Sequence, residues 1–127
     1  MGRKTSDSLP LGFLPGRVNY IISNTVSEDA LWKPSLESAI SSAQTNHSHK
    51  EIFIIGGQSI YEAALKLPKV DQVILTRHHY KATQADTYFP DLGSKWSLKK
   101  TIPYYASIDN QAVYTEIEIY EPNYSSY

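Results

Sequence analysis

The apolar positions of this chain fall into short runs separated by polar stretches rich in proline and glycine. The strongest run is residues 52–55, Ile-Phe-Ile-Ile, where Ile52, Ile54 and Ile55 are β-branched. Four apolar residues without a polar interruption predict a short strand buried on both faces. Gly56 and Gly57 follow, and residues 58–67 then have helical composition, with Ile60, Tyr61, Ala64 and Leu65 on one side and Pro68 as the stop. Upstream, residues 18–23 read as a strand, with a further short strand around Ala30, Leu31 and Trp32. A helix follows Pro34, with Ser35 as N-cap and Leu36, Ala39, Ile40 and Ala43 as its buried stripe. Before all of these, a short helix can cover residues 3–9 at most, because Pro10 disfavours its continuation.

Downstream, residues 71–76 read as another buried strand, and residues 77–86 are polar. Residues 96–102 and 112–120 form two last strands, joined through residues 103–111 in a connection that suits an antiparallel pair. The second alternates strictly: Val113, Thr115, Ile117 and Ile119 face one way, and Tyr114, Glu116, Glu118 and Tyr120 the other. One of its faces is therefore at least partly wet. Strands and helices alternate up to residue 76, which predicts an α/β fold in three layers: a mostly parallel twisted sheet with an antiparallel C-terminal strand. We expect one domain over residues 1–121 and a frayed tail over 122–127.

At 127 residues the chain is long enough to bury a core. Twelve basic and thirteen acidic side chains nearly cancel, so no global field recruits nucleic acid or a membrane surface. An anionic ligand must be held by local groups. Cysteine is absent, which excludes disulfides, thiolate metal sites and a cysteine nucleophile; a cytoplasmic location is the expectation. No apolar run approaches the ~20 residues of a membrane helix. His47, His49, His78 and His79 lack suitably spaced carboxylate or cysteine partners, so no metal site is expected.

Strand, glycine pair and helix can make an anion site, because glycine lets backbone approach a phosphate and N–H groups at the helix start point toward it. The same pattern also serves as a plain strand-to-helix turn. Other segments bear on the choice: Gly2-Arg3-Lys4-Thr5 after Met1, Leu14-Pro15-Gly16-Arg17-Val18-Asn19, then Ile54-Ile55-Gly56-Gly57-Gln58-Ser59-Ile60-Tyr61, Leu75-Thr76, and Asp86-Thr87-Tyr88-Phe89-Pro90. In this order and near-spacing they resemble the dihydrofolate reductase family, from Met1 to about Tyr120. Ser6 departs from the pattern, since the family usually has tryptophan there. The N-terminal segment of a complete member, with its first strand, mobile loop and carboxylate-bearing helix, has no counterpart before Met1.

The resemblance implies NADPH as cofactor and dihydrofolate as substrate. It assigns Gly2, Arg3, Lys4 and Thr5 to the phosphates of NADPH, with Arg3 or Lys4 on the 2′-phosphate. It assigns Ser23 and Asn24 to the adenine-ribose side, and Gly56, Gly57, Gln58, Ser59 and Ile60 to the pyrophosphate region through a cis Gly56–Gly57 peptide. Ile55 and Tyr61 would flank the nicotinamide and pterin. Leu9, Leu14, Arg17 and Thr76 would complete the substrate side, Arg17 pairing with the glutamate tail and Thr76 anchoring through its hydroxyl. No catalytic residue is assigned, because the carboxylate segment is the part without a counterpart. Three readings follow: a truncated reductase inactive alone, one piece of a split reductase with a complementary N-terminal segment as partner, or a non-catalytic nucleotide-binding domain. A riboflavin-pathway reductase is a further alternative of the same fold. In the family the first strand sits between the strands matching residues 52–55 and 72–76, so its loss would leave unpaired edges; direct pairing of those two strands is the competing expectation.

Overall fold

Among the described residues the three α-helices begin where the sequence leads one to expect them. In the computed structural model, which describes residues 1–24, 31–68, 70–78 and 90–123, the chain forms two compact units, Met1–Lys66 and Leu67–Tyr127. In the first unit α1, Arg3–Ser8, starts after Gly2 and stops at Leu9, ahead of Pro10. Its buried residue is Ser6, whose hydroxyl donates to the Gly12 carbonyl at 2.5 Å. A small polar residue thus ties the helix to the loop behind it.

The second helix, α2, is Leu36–Asn46, and Ser35 caps it as predicted. The Ser35 hydroxyl accepts from the Ser38 amide at 3.1 Å, and the Ser35 amide in turn donates to the Ser38 hydroxyl at 3.3 Å. Leu36, Ala39 and Ala43 are buried and Ile40 is half-buried, which is the predicted stripe. Burying Leu36 alone is worth about 2 kcal/mol. The third helix, α3, is Gln58–Leu65, with Gly57 as N-cap and Ala64 buried. Between α1 and α2 a parallel pair forms from β1, Ile21–Ile22, and β2, Trp32–Lys33, with Ile21 opposite Trp32. The first of these is shorter than the strand expected over 18–23.

The central strand expectation fails. Residues 51–57 belong to no sheet, and Ile52 and Phe53 are 43% and 67% exposed rather than buried. Apolar composition selects extended backbone, but a ladder needs a partner edge, and among the described residues no neighbour pairs with residues 52–55.

The second unit is an antiparallel sheet in the order β3-β5-β4, where β3 is Val73–His78, β4 Trp96–Ile108 and β5 Gln111–Pro122. The expected antiparallel C-terminal pair is present, but residues 103–111 are no loop. β4 and β5 meet in a two-residue turn, Asp109-Asn110, with φ of 51° and 62°. Both central residues at positive φ define the hairpin turn whose twist matches the strands. Pro103 is accommodated because β4 is the outer strand of this sheet.

Burial along β5 also departs from strict alternation. Val113 and Thr115 are buried as expected of their face, but Glu118 on the other face is buried too. Its carboxylate accepts from Arg77 Nε and from the Tyr120 hydroxyl, both at 3.0 Å. The strand expected to be buried over 71–76 becomes β3 with only Val73 buried, and Ile74 is 53% exposed. The described strands are thus a parallel pair and an antiparallel three-stranded sheet, within an α/β chain. The expected tail falls largely outside the described residues, as do Ala30, His79 and 86–89.

Candidate functional site

Two glycine-started helices meet in the first unit. The Gly2 amide donates to the Gly56 carbonyl at 2.8 Å, and the Ile22 amide donates to the Met1 carbonyl at 2.8 Å. Gly2 also bridges Ile22 in the parallel sense. The start of α1 is thus tied to the carboxyl end of β1 on one side and to the glycine pair before α3 on the other. Neither N-cap, Gly2 nor Gly57, has a side chain to cap its helix. First-turn amides without a side-chain cap are where an anion binds most readily.

The glycines are set by close approach. The Gly56–Gly57 peptide is cis, and Gly56 has φ of 118°. A Cβ at Gly56 would stand 3.4 Å from both Thr5 Oγ1 and Tyr61 Cε2. At Gly57 it would find only Thr5 Oγ1, at 3.7 Å. At Gly2 it would meet Ile60 Cγ1 at 3.6 Å and the Gly57 amide nitrogen at 3.8 Å. Gly2, Thr5, Gly56, Gly57, Ile60 and Tyr61 are therefore one cluster. Burial pushes the Tyr61 phenol above its ordinary value of 10.0. Arg3 and Lys4 are exposed on the first turn of α1, and Gln58 and Ser59 are exposed on the first turn of α3. Ser23 and Asn24 follow β1, at the strand end where ligands of open α/β sheets collect. The residues fit the phosphates of a nucleotide: bare glycine backbone, two uncapped helix starts, and exposed cations beside them.

Next to this junction lies a cleft of about 370 Å³, lined by residues of the first unit from Met1 to Ile55. Leu14, Arg17 and Ile55 line it, so three of the expected substrate-side residues come together. Leu9 is half-buried at the end of α1, and neither Leu9 nor Tyr61 lines the cleft. Thr76 is an exposed residue of β3 in the second unit, opposite Ile117. Arg17 is exposed, and its Nε donates to the Pro15 carbonyl at 3.0 Å.

Asn19 is a residue for which the sequence reading gave no role. Its Oδ1 accepts from the Leu14 amide at 2.8 Å, and its Nδ2 donates to the carbonyls of Leu14 and Arg17 at 2.9 and 3.0 Å. One side chain thus holds the Leu14-to-Arg17 turn closed. The signal was available, since asparagine after Pro-Gly is a turn residue that bonds nearby backbone. Met1 was also missed as a structural part. Its ammonium donates to the Tyr20 carbonyl at 3.1 Å, and burial lowers its pKa from 8.0.

Glycine-started helices beside a parallel strand pair define this as an α/β unit. The family model described as dihydrofolate reductase matches residues 1–121. A dihydrofolate reductase of Pneumocystis carinii is 38% identical over 122 residues, covering 79% of this chain and 57% of that protein. One of Drosophila melanogaster is 34% identical over 97 residues, 71% of this chain and 53% of that protein. One of Schistosoma mansoni is 36% identical over 110 residues, 80% and 58% of the two chains. The chain spans about half the length of these curated relatives. It belongs to the dihydrofolate reductase family.

Proposed function

We propose that this chain carries the cofactor cradle and part of the substrate wall of an enzyme that reduces 7,8-dihydrofolate to tetrahydrofolate with NADPH. The observation that supports it most is the junction at which Gly2, Thr5, Gly56, Gly57 and Tyr61 converge beside two uncapped helix starts. When bound, NADPH supplies the hydride. The residues of this chain orient and hold. The Gly57 backbone and the first turn of α3, Gln58, Ser59 and Ile60, meet the pyrophosphate. The first turn of α1 meets the adenosine phosphates, with Arg3 or Lys4 on the 2′-phosphate, and Ser23 and Asn24 line the ribose. Ile55 and Tyr61 bracket the reacting rings. Arg17 forks onto the glutamate carboxylate, as a guanidinium does better than an ammonium. Leu14, which lines the cleft, gives that side its apolar wall.

The fold reading belongs with this function: residues 1–121 as one domain in three layers around a mostly parallel sheet, in a cytoplasmic enzyme without nucleic acid, membrane or metal. Proton delivery is the part that these residues do not supply. Among the described residues lining the cleft, the one carboxylate is Glu51, and it is exposed. Purified 1–127 therefore gives negligible dihydrofolate-dependent oxidation of NADPH, and robust turnover would overturn this assignment of roles.

The binding half of the proposal is tested by calorimetry. The chain binds NADPH more tightly than NADH, and Arg3→Ala weakens NADPH more than NADH. Equal loss for both cofactors would remove Arg3 from the 2′-phosphate. Absence of any nucleotide binding would end the proposal.

A further inference from the structure

Pro103 lies in the middle of β4, with paired residues on both sides of it. Its facing follows from the turn. Ile108 and Gln111 flank the two-residue Asp109-Asn110 turn and so form a hydrogen-bonded pair. In an antiparallel ladder, hydrogen-bonded and non-bonded pairs alternate. Counting back from Ile108, the backbones of Ala106, Tyr104 and Ile102 bond β5, and those of Ser107, Tyr105, Pro103 and Thr101 point away from it. The Tyr105–Tyr114 pair agrees. Side chains stand closer across a non-bonded pair, and these two rings meet edge to face at 5.6 Å. Pro103 therefore costs the sheet no ladder bond, and it stands within the outward row.

That row is an outer edge of the sheet, since among the described residues β4 pairs with β5 alone. The strand is 13 residues long, and Leu98, Ile102, Tyr104 and Tyr105 are exposed on it, Tyr105 at 71%. A long apolar edge of this kind is a template for pairing with another chain. The same edge of a second copy fits it. Set antiparallel with Pro103 opposite Pro103, the two edges put Thr101 beside Tyr105 and Ile102 beside Tyr104, with no like charges opposed. Pro103 is where that pairing fails. It has no N–H to give, and its ring fills the side from which a second strand would approach. Just upstream the ladder shifts register between Leu98 and Lys100, and Lys99 and Lys100 are both exposed. A bulge turns an edge away, and lysines repel one another in registers that bring two copies of them together.

We propose that Pro103, together with the bulge at Lys99 and Lys100, closes the outer edge of β4 to a second copy of this chain. The Asp109-Asn110 turn sets which residues face out, and the proline is in phase with it. At position 102 or 104 a proline would break bonds to β5 instead. The inference concerns the second unit alone and is independent of the nucleotide reading.

The test uses the full chain. In the parent, hydrogen exchange is at least about tenfold faster at the Thr101 and Tyr105 amides than at Ile102, Tyr104 and Ala106. Pro103→Thr and Pro103→Val supply the missing N–H. In sedimentation velocity over a concentration series, each variant dimerises at least about tenfold more tightly than the parent. That association slows exchange at Thr101 and Tyr105. Adding Thr101→Pro to Pro103→Thr puts a proline back on the outward row and returns association to the parent's level. A change of fold caused by losing Pro103 would not be reversed in this way. The proposal is overturned if both single variants associate no more than the parent, or if their association leaves Thr101 and Tyr105 in fast exchange. Failure of the second proline to reverse the association also overturns it. So does a Tyr105 amide as protected as Tyr104 in the parent, a result that needs no variant to fold.

Discussion

The two glycines of the helix junction are predicted to fail in different ways when replaced by alanine. Gly56 has φ of 118°, a region that L-residues rarely adopt. An added methyl would also press on Thr5 Oγ1 and Tyr61 Cε2 at 3.4 Å. The backbone term alone costs about 2 kcal/mol, and the contacts add to it because Tyr61 is packed in place. For a chain of this size that lowers Tm by roughly 8 °C. Gly57 has φ of −83° and ψ of −154°, which alanine can adopt, and its methyl meets only Thr5 Oγ1 at 3.7 Å. Gly57→Ala therefore changes stability by no more than about 0.5 kcal/mol. It does stand a methyl where a phosphate must approach the backbone, so NADPH affinity falls at least about tenfold. Denaturant unfolding of both variants, with calorimetry of NADPH on the Gly57 variant, separates the two roles. The reasoning is refuted if Gly57→Ala unfolds as easily as Gly56→Ala, or if it binds NADPH as tightly as the parent.

Three further outcomes are expected from other parts of the chain. Ser35→Ala removes the hydroxyl that accepts from the Ser38 amide while residue 35 keeps its own amide on the Ser38 hydroxyl, and costs about 1 kcal/mol in denaturant unfolding; Ser35→Gly costs less. Asn110 at φ of 62° is in the left-handed region, so Asn110→Gly stabilises by about 0.5 kcal/mol and Asn110→Val destabilises by about 1–2 kcal/mol in the same assay. The Met1 ammonium has its pKa lowered from 8.0 by burial. The unfolded chain then holds more protons in the window just below pH 8, so stability rises with pH across it and is lost as pH falls through the folded value. N-terminal acetylation, which keeps the N–H to Tyr20, flattens that part of the profile.

Helices are legible in this sequence because their signals are local. Ser35 before Leu36, Pro10 after α1, and glycine before α3 each act within one turn. The junction is legible for the same reason, since Gly2, Thr5, Gly56, Gly57 and Tyr61 belong to two short contiguous motifs. Sheets depend on partners that composition cannot supply. Residues 52–55 have the right residues for an interior strand and still pair with nothing described, because an edge requires another chain segment beside it. The β4–β5 hairpin was hidden by Pro103, which reads as a strand end but is tolerated on an outer strand. The turn itself, Asp-Asn at positive φ, carried a usable signal. Burial of Glu118 was not legible, since it depends on Arg77 arriving from a strand 41 positions away.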